Sequence, residues 1–283
     1  MCEISPVELV PNTVVVPEAT LDGVVYEYTS PLQAYRISAD PVDPNRQWVA
    51  DTTGCVGYLE DDTNEFTPVA AFFHSLIGIL TVSDLVATDD YVYVAVVPHI
   101  IAESKVYRIP RTQTVYTAHD ENSAAVELTG DVIRMCRAPD GLYWIRMQVL
   151  AGTRGDARNN GDFEFELCHY NIATHTETVL VEAVVVPNGA GRYPPFTLTE
   201  GPDGLIWVLE TVGKYYLFSF TDEGRLPTAS GGPPVYKNIT RYTSAGAVND
   251  SYTMEEQDTF FGVEITTCGS SVQVGFITFE GET

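Results

Sequence analysis

Carboxylates are the residues this sequence supplies most freely for chemistry. Asp and Glu number 39 against 15 Lys and Arg, a formal net charge of −24. Two opposed carboxylates can cleave a glycosidic bond, and several with neutral oxygens can hold calcium. Asp156, Asn159, Asn160, Asp162 and Glu164 crowd oxygen donors together, but their spacing is not that of an EF-hand loop. They read as a solvated insertion, as do Asp61, Asp62, Asn64 and Glu65. The five histidines, His74, His99, His119, His169 and His175, are scattered, and each is given a surface or structural role. Five cysteines (Cys2, Cys55, Cys136, Cys168, Cys268) are an odd number with no CxxC pair and no zinc-ligand spacing. They read as free thiols in a reducing compartment, with Cys136, Cys168 and Cys268 as small core residues. No catalytic residue, metal or cofactor is expected.

The best binding candidate is the stretch 151–162, AGTRGDARNNGD. It brings Arg154 and Arg158 beside Asn159 and Asn160, in a chain otherwise strongly negative. Guanidinium and amide groups hydrogen-bond carboxylates, sugars or a neighbouring subunit's backbone.

What must position these residues is a repeat. APDGLYWIRM (138–147) and GPDGLIWVLE (201–210) share a Pro-Asp-Gly turn followed by a strand pattern bearing Trp. Trp48 follows a Pro-Asn turn, Tyr93 follows Asp89-Asp90, and Val274 anchors a fifth, weaker copy. The spacings between anchors are 45, 51, 63 and 67 residues. Asp89, Asp140 and Asp203 share one repeat position, and turn-making is the job expected of all three. An apolar segment precedes each turn. A strand–turn–strand phrase follows each anchor, as in VYRIPRTQTVY (106–116), LCHYNIATHTETVLV (167–181) and YLFSFTDEGRL (216–226). Each unit thus holds about four strands and cannot bury both faces alone, so units must stack.

Recurrent turn-Asp-Gly-x-x-Trp strands at this spacing resemble the blades of virginiamycin B lyase-like, NHL and gluconolactonase-like propellers. The resemblance runs from about residue 30 to the end and implies a single all-β propeller domain over 1–283. Five blades are expected, six being the alternative. NTVVVP (12–17) and GVVYEYT (23–29), split by a turn-like EATLDG, supply spare strand material in the N-terminal segment 1–30. A strand from it is expected to close the last blade and remove an open edge. The long intervals are read as insertions at 151–162 and over 227–258. The resemblance also implies a Pro-His pair ahead of the turn phrase. This sequence has none there: Pro98-His99 follows its strand. Glu210 lies behind Trp207, but Arg146 and Met147 occupy that region of the sister unit. No catalytic residue is transferred.

Composition narrows the partners. With only three lysines, Lys105, Lys214 and Lys237, the chain is unsuited to nucleic acid or to an anionic membrane surface. No apolar stretch approaches the ~20 residues of a membrane span, and MCEISPVELV lacks the features of a signal peptide. Low lysine, free cysteines and abundant Thr, Val, Tyr, Gly and Pro resemble the style of tailed-phage virion proteins. The expectation is a non-enzymatic structural or interaction propeller, a tail or capsid decoration assembled in the host cytoplasm. Its partners would be other virion or scaffold proteins in an oligomeric assembly, and a host-surface glycan or protein. A lyase, lactonase or glycosidase, a glycan-binding propeller, and a cytoplasmic location are the alternatives.

Overall fold

The computed structural model describes residues 13–21, 24–31, 34–51, 54–60, 65–74, 78–96, 104–120, 122–126, 131–149, 163–186, 196–212, 236–255, 260–268 and 270–278. These residues are all-β, with no helix among them. The chain divides into two compact units, Met1–Arg137 and Ala138–Thr283.

In the first unit, β1 (Thr13–Leu21) and β2 (Val24–Pro31) form an antiparallel hairpin. The sequence reading ends the first strand at Pro17. In fact the strand continues to Leu21, because the register shifts between Val16 and Ala19. A bulge there accommodates Pro17, which has no N–H to give to the ladder. Next, β3 (Ala34–Ala39), β4 (Arg46–Asp51), β5 (Cys55–Glu60) and β6 (Glu65–His74) pair in sequence, each antiparallel to the last. β7 (Gly78–Ile79) pairs with the end of β6. A second meander holds β8 (Val82–Ala87), β9 (Tyr91–Val96) and β10 (Lys105–Pro110). β11 (Thr117–His119) does not fold back on β10, as a strand–turn–strand phrase at 106–116 would require. It crosses to the first meander and pairs parallel with β6. Gln113 helps to hold this crossing, donating through its side-chain amide to Val69 O at 2.9 Å. Val126 alone bridges to β10, at Val106. β12 (Asp131–Ala138) ends the unit, apart from its last residue.

The leading strands of these sheets lie side by side. Arg36 Nε donates to Ser83 O at 3.0 Å, and Ser38 Oγ accepts from Ala87 N at 3.0 Å, tying β3 to β8. Ser83 Oγ donates to Val132 O at 2.9 Å, and Asp84 Oδ2 accepts from Met135 N at 2.7 Å, tying β8 to β12. The core between them is apolar on both faces of the inner strands. Trp48, Phe72, Val92, Val94, Tyr107 and Ile109 are buried in one cluster. YVYVAV in β9 is buried at every position but its first, the pattern of a strand covered on both faces.

In the second unit, β13 (Gly141–Val149), β14 (Phe163–Asn171) and β15 (Thr176–Val186) form an antiparallel meander. So do β16 (Phe196–Glu200), β17 (Ile206–Val212), β18 (Tyr236–Tyr242) and β19 (Val248–Glu255). β20 (Phe260–Cys268) pairs with β21 (Ser271–Thr278), and β16 packs against β20. The insertion expected over 227–258 is therefore corrected: 236–255 is two paired strands around a Thr243–Ala247 turn. VNDSYTME looked like loop because it is polar. It is the last strand of its meander, where among the described residues one edge has no strand to cover it and polar residues are tolerated. Residues 216–226 and 227–235 lie outside the described residues.

All five anchors fall in the strand that follows the repeat turn: Trp48 in β4, Tyr93 in β9, Trp144 in β13, Trp207 in β17 and Val274 in β21. Trp48, Tyr93 and Trp144 are fully buried, whereas Trp207 is half-buried.

Candidate functional site

Each tryptophan donates its indole N–H to a carboxylate that also holds an arginine. In the first unit, Trp48 Nε1 donates to Asp40 Oδ2 at 3.0 Å. Asp40 Oδ1 takes the backbone N–H groups of Val42 and Asp43, each at 2.9 Å, and Arg111 Nη1 lies 3.3 Å from Oδ2. The Asp40 side chain has no exposed surface. Burial pushes its pKa up. The hydrogen bonds from Asp43 N, Val42 N, Trp48 and Arg111 outweigh that, and the carboxyl is held below its usual range.

In the second unit, Trp144 Nε1 donates to Glu177 Oε1 at 2.8 Å. Trp144 and Arg146 are two residues apart in β13 and so share a face. Arg146 Nη1 donates to Glu177 Oε2 at 2.8 Å, and Nε donates to Glu166 Oε2 at 2.8 Å from the directly paired position on β14. Arg146 is buried. Its charged form is reinforced: desolvation lowers the pKa, but the Glu166 bond and the nearby negative charges raise it overall. The Trp144 ring stacks on Tyr170 at 5.0 Å between centroids.

The third cluster is built from Trp207, Asp203 and Arg241. Asp203 Oδ1 accepts from Trp207 Nε1 at 3.0 Å and from Leu205 N at 3.1 Å, and Arg241 Nη1 reaches Oδ2 at 3.0 Å. Arg241 stands opposite Trp207 on β18 and opposite Asp250 on β19. It lies over the indole at 5.0 Å and also pairs with Asp250. Burial raises the Asp203 pKa, but the bonds from Trp207, Leu205 and Arg241 prevail and lower it.

The three repeat-position aspartates all stand in the turn or bend before their strands, as expected, but their side chains take different partners. Asp203 takes the indole. Asp140 Oδ2 takes the Tyr143 hydroxyl at 2.8 Å, and Asp89 Oδ1 takes Arg137 Nη2 at 2.8 Å. One residue separates the two best repeats here. A Cβ at Gly201 would sit 2.1 Å from Trp207 Nε1 and 2.5 Å from Asp203 Oδ1, so the bond needs a glycine at that place. The sister phrase carries Ala138 there, and its tryptophan bonds Glu177 instead. The turn glycines differ as well. Gly204 has φ +72°, a left-handed conformation that favours glycine. Gly141 lies where a Cβ would meet Tyr170 O at 2.4 Å.

Asp40, Glu166, Glu177, Arg111, Arg146 and Arg241 were not singled out from sequence. The one usable signal was Trp144-x-Arg146, two polar-tipped groups on one strand face. The residues expected to bind, Arg154, Arg158, Asn159 and Asn160, lie outside the described residues, as do Asp156, Asp162, Asp61, Asp62 and Asn64. Among the described residues no group of three or more His, Cys, Asp or Glu is placed to hold a metal ion. No helix among them is long and apolar enough to cross a membrane. Cys55 and Cys168 are buried free thiols, and burial pushes each pKa up to about 12.

No known protein family matches the sequence, and no curated protein matches it. Among solved structures the chain is similar to an auxiliary nutrient binding protein from Bacteroides thetaiotaomicron. The identity is 12% over 78% of this chain and 41% of that one, with a TM-score of 0.42. It is also similar to Kluyveromyces lactis Hsv2, at 10% identity over 85% of this chain and 57% of that one, with a TM-score of 0.34. The chain thus spans less than two thirds of either structure's length. The class defined by the strands themselves is an all-β protein of antiparallel meanders.

Proposed function

We propose that the chain is a single five-bladed β-propeller that works as a non-enzymatic structural or interaction module, a phage tail or capsid decoration that touches other virion proteins or the host surface. The propeller reading is supported by the leading strands: β3, β8 and β12 are hydrogen-bonded side by side, and β16 packs on β20. Neighbouring innermost strands are what radial stacking of blades requires. Among the described residues β1 and β2 form a two-stranded sheet of their own, as do β20 and β21, so the N-terminal strand does not pair into the last blade as the sequence pattern suggested.

One observation carries the non-catalytic reading. The carboxylates beside the tryptophans are committed to indole N–H groups and arginines. A general acid must hold a proton it can release near neutral pH. Asp40 and Asp203 are instead shifted the other way, toward permanent ionisation. The virion assignment rests on composition alone: a net charge of −24 with three lysines, and free cysteines. Binding is assigned to surface loops on this scaffold, chiefly 151–162 with Arg154, Arg158, Asn159 and Asn160.

The test replaces 151–162 by a short Gly-Ser turn. The expected result is an unchanged fold with lost incorporation into particles or lost adsorption to host cells. Unchanged incorporation and adsorption would remove the loop from the function. Turnover of a lactone or glycoside by the purified protein would overturn the non-enzymatic reading.

A further inference from the structure

β11 is a three-residue strand, and its hold on β6 is compromised at both ends. His119 forms one corner of a three-ring cluster. Its imidazole stacks on Phe72 with centroids 5.4 Å apart and 19° between planes, and lies 5.5 Å from Tyr107. Phe72 and Tyr107 are themselves 4.8 Å apart. His119 Nε2 is buried and has no hydrogen-bond partner among the described residues. One residue before the strand begins, Tyr116 packs against the cluster of Val49, Cys55 and Phe66, and its hydroxyl is likewise buried without a partner among the described residues. An unsatisfied buried polar atom weakens the docking of the segment that carries it.

The imidazole is the group that can change state near neutral pH. Its surroundings favour the neutral form over the cation. From β6 it meets Phe72, paired directly opposite, which carries no charge. From β10 it meets Tyr107, whose hydroxyl is turned to donate to Asp120 O at 3.1 Å. Asp120, the next residue, is the acidic group that acts on it. Its Oδ1 already accepts from Asn122 N and Ser123 Oγ, each at 3.0 Å. Burial lowers the His119 pKa, and the Asp120 charge opposes this without reversing it.

We propose that β11 is an acid-released latch: protonation of His119 undocks the Tyr116–Asp120 segment from β6 and bares the apolar strand edge Ala70–Phe72. The direction follows from linkage. A histidine whose pKa is lower docked than undocked stabilises docking fully above its ordinary value of about 6.5, and that contribution is lost as pH falls below it. While only the undocked state binds the proton, the docking equilibrium weakens by roughly tenfold per pH unit.

Amide hydrogen exchange at pH 7.5, 6.5 and 5.5, corrected for the intrinsic exchange rate, tests this on the whole chain. Protection of 117–119 and of 70–72 is expected to fall by up to about tenfold between pH 6.5 and 5.5. The β4–β5 and β17–β18 ladders keep theirs. His119→Phe preserves the ring contacts without a titratable group, and the pH dependence should vanish. Protection of 117–119 that is level from pH 7.5 to 5.5, loss shared by every ladder, or an unchanged loss in His119→Phe would each overturn the latch. If His119→Phe does not fold, an NMR titration of the wild-type His119 ring decides. A ring pKa below 6.5 that tracks the β11 amide loss supports the latch, and one at or above 6.5 removes it.

Discussion

Arg146→Met isolates the charge balance under Trp144. The arginine is buried, and it donates to Glu166 and Glu177, whose side chains are 13% and 17% exposed. Methionine fills most of the stem's volume but takes away the cation that joins two largely buried carboxylates. Removing one partner of a buried pair costs about 3–5 kcal/mol. Both carboxylates keep some water contact, and Glu177 keeps the Trp144 N–H, so the lower end, about 3 kcal/mol, is expected. At roughly 2–4 °C per kcal/mol for a chain of this size, the thermal midpoint should fall by roughly 6–12 °C at pH 7. Adding Glu166→Gln and Glu177→Gln in the Arg146→Met background removes the charges while an amide oxygen still accepts from Trp144, and should restore most of the loss. Scanning calorimetry or circular dichroism at pH 7 is the assay. A gap of less than about 1 kcal/mol between wild type and Arg146→Met, or no recovery in the triple variant, would refute the idea that Arg146 neutralises this pair.

Three further substitutions follow from the same clusters. Trp144→Ala should destabilise by about 3–5 kcal/mol and Trp207→Ala by about 1–2, read by urea denaturation, because the first ring is fully buried and the second half-exposed. Equal losses would contradict the difference in burial. Gly201→Ala should displace the Trp207 indole from Asp203 and red-shift its fluorescence, measured with Trp48 and Trp144 replaced by Phe, and an unmoved spectrum would show that the close approach at Gly201 is not needed.

The strand class and the register of the anchors were legible because they depend on local pattern. A turn pair followed by alternating or continuous apolar residues fixes where a strand begins, and Trp48, Tyr93, Trp144 and Trp207 could be aligned on that alone. Edge strands were less legible. VNDSYTME carries too little apolar surface to announce itself, because half of what an outer strand needs is supplied by its partner β18. The parallel crossing of β11 to β6 left no signal either, since its contacts come from residues more than forty positions away.

The clusters show why repetition of sequence and repetition of chemistry come apart. The indole N–H imposes the constraint: buried beside apolar strands, it must find an acceptor. An acceptor that is a carboxylate must in turn find a cation. Both demands are met three times, yet from different parts of the chain. The acceptor is Asp40 before the turn, Glu177 two strands later, and Asp203 within the turn itself. A search for identical residues at identical positions therefore picks out the shared aspartates, Asp89, Asp140 and Asp203, which keep their place in the turn but differ in side-chain partner. It passes over Asp40 and Glu177, which have converged on one. What the repeat conserves is an electrostatic requirement set by the tryptophan, and each sheet meets it with whichever acid and arginine its own geometry brings within 3 Å or so of the ring nitrogen and of each other.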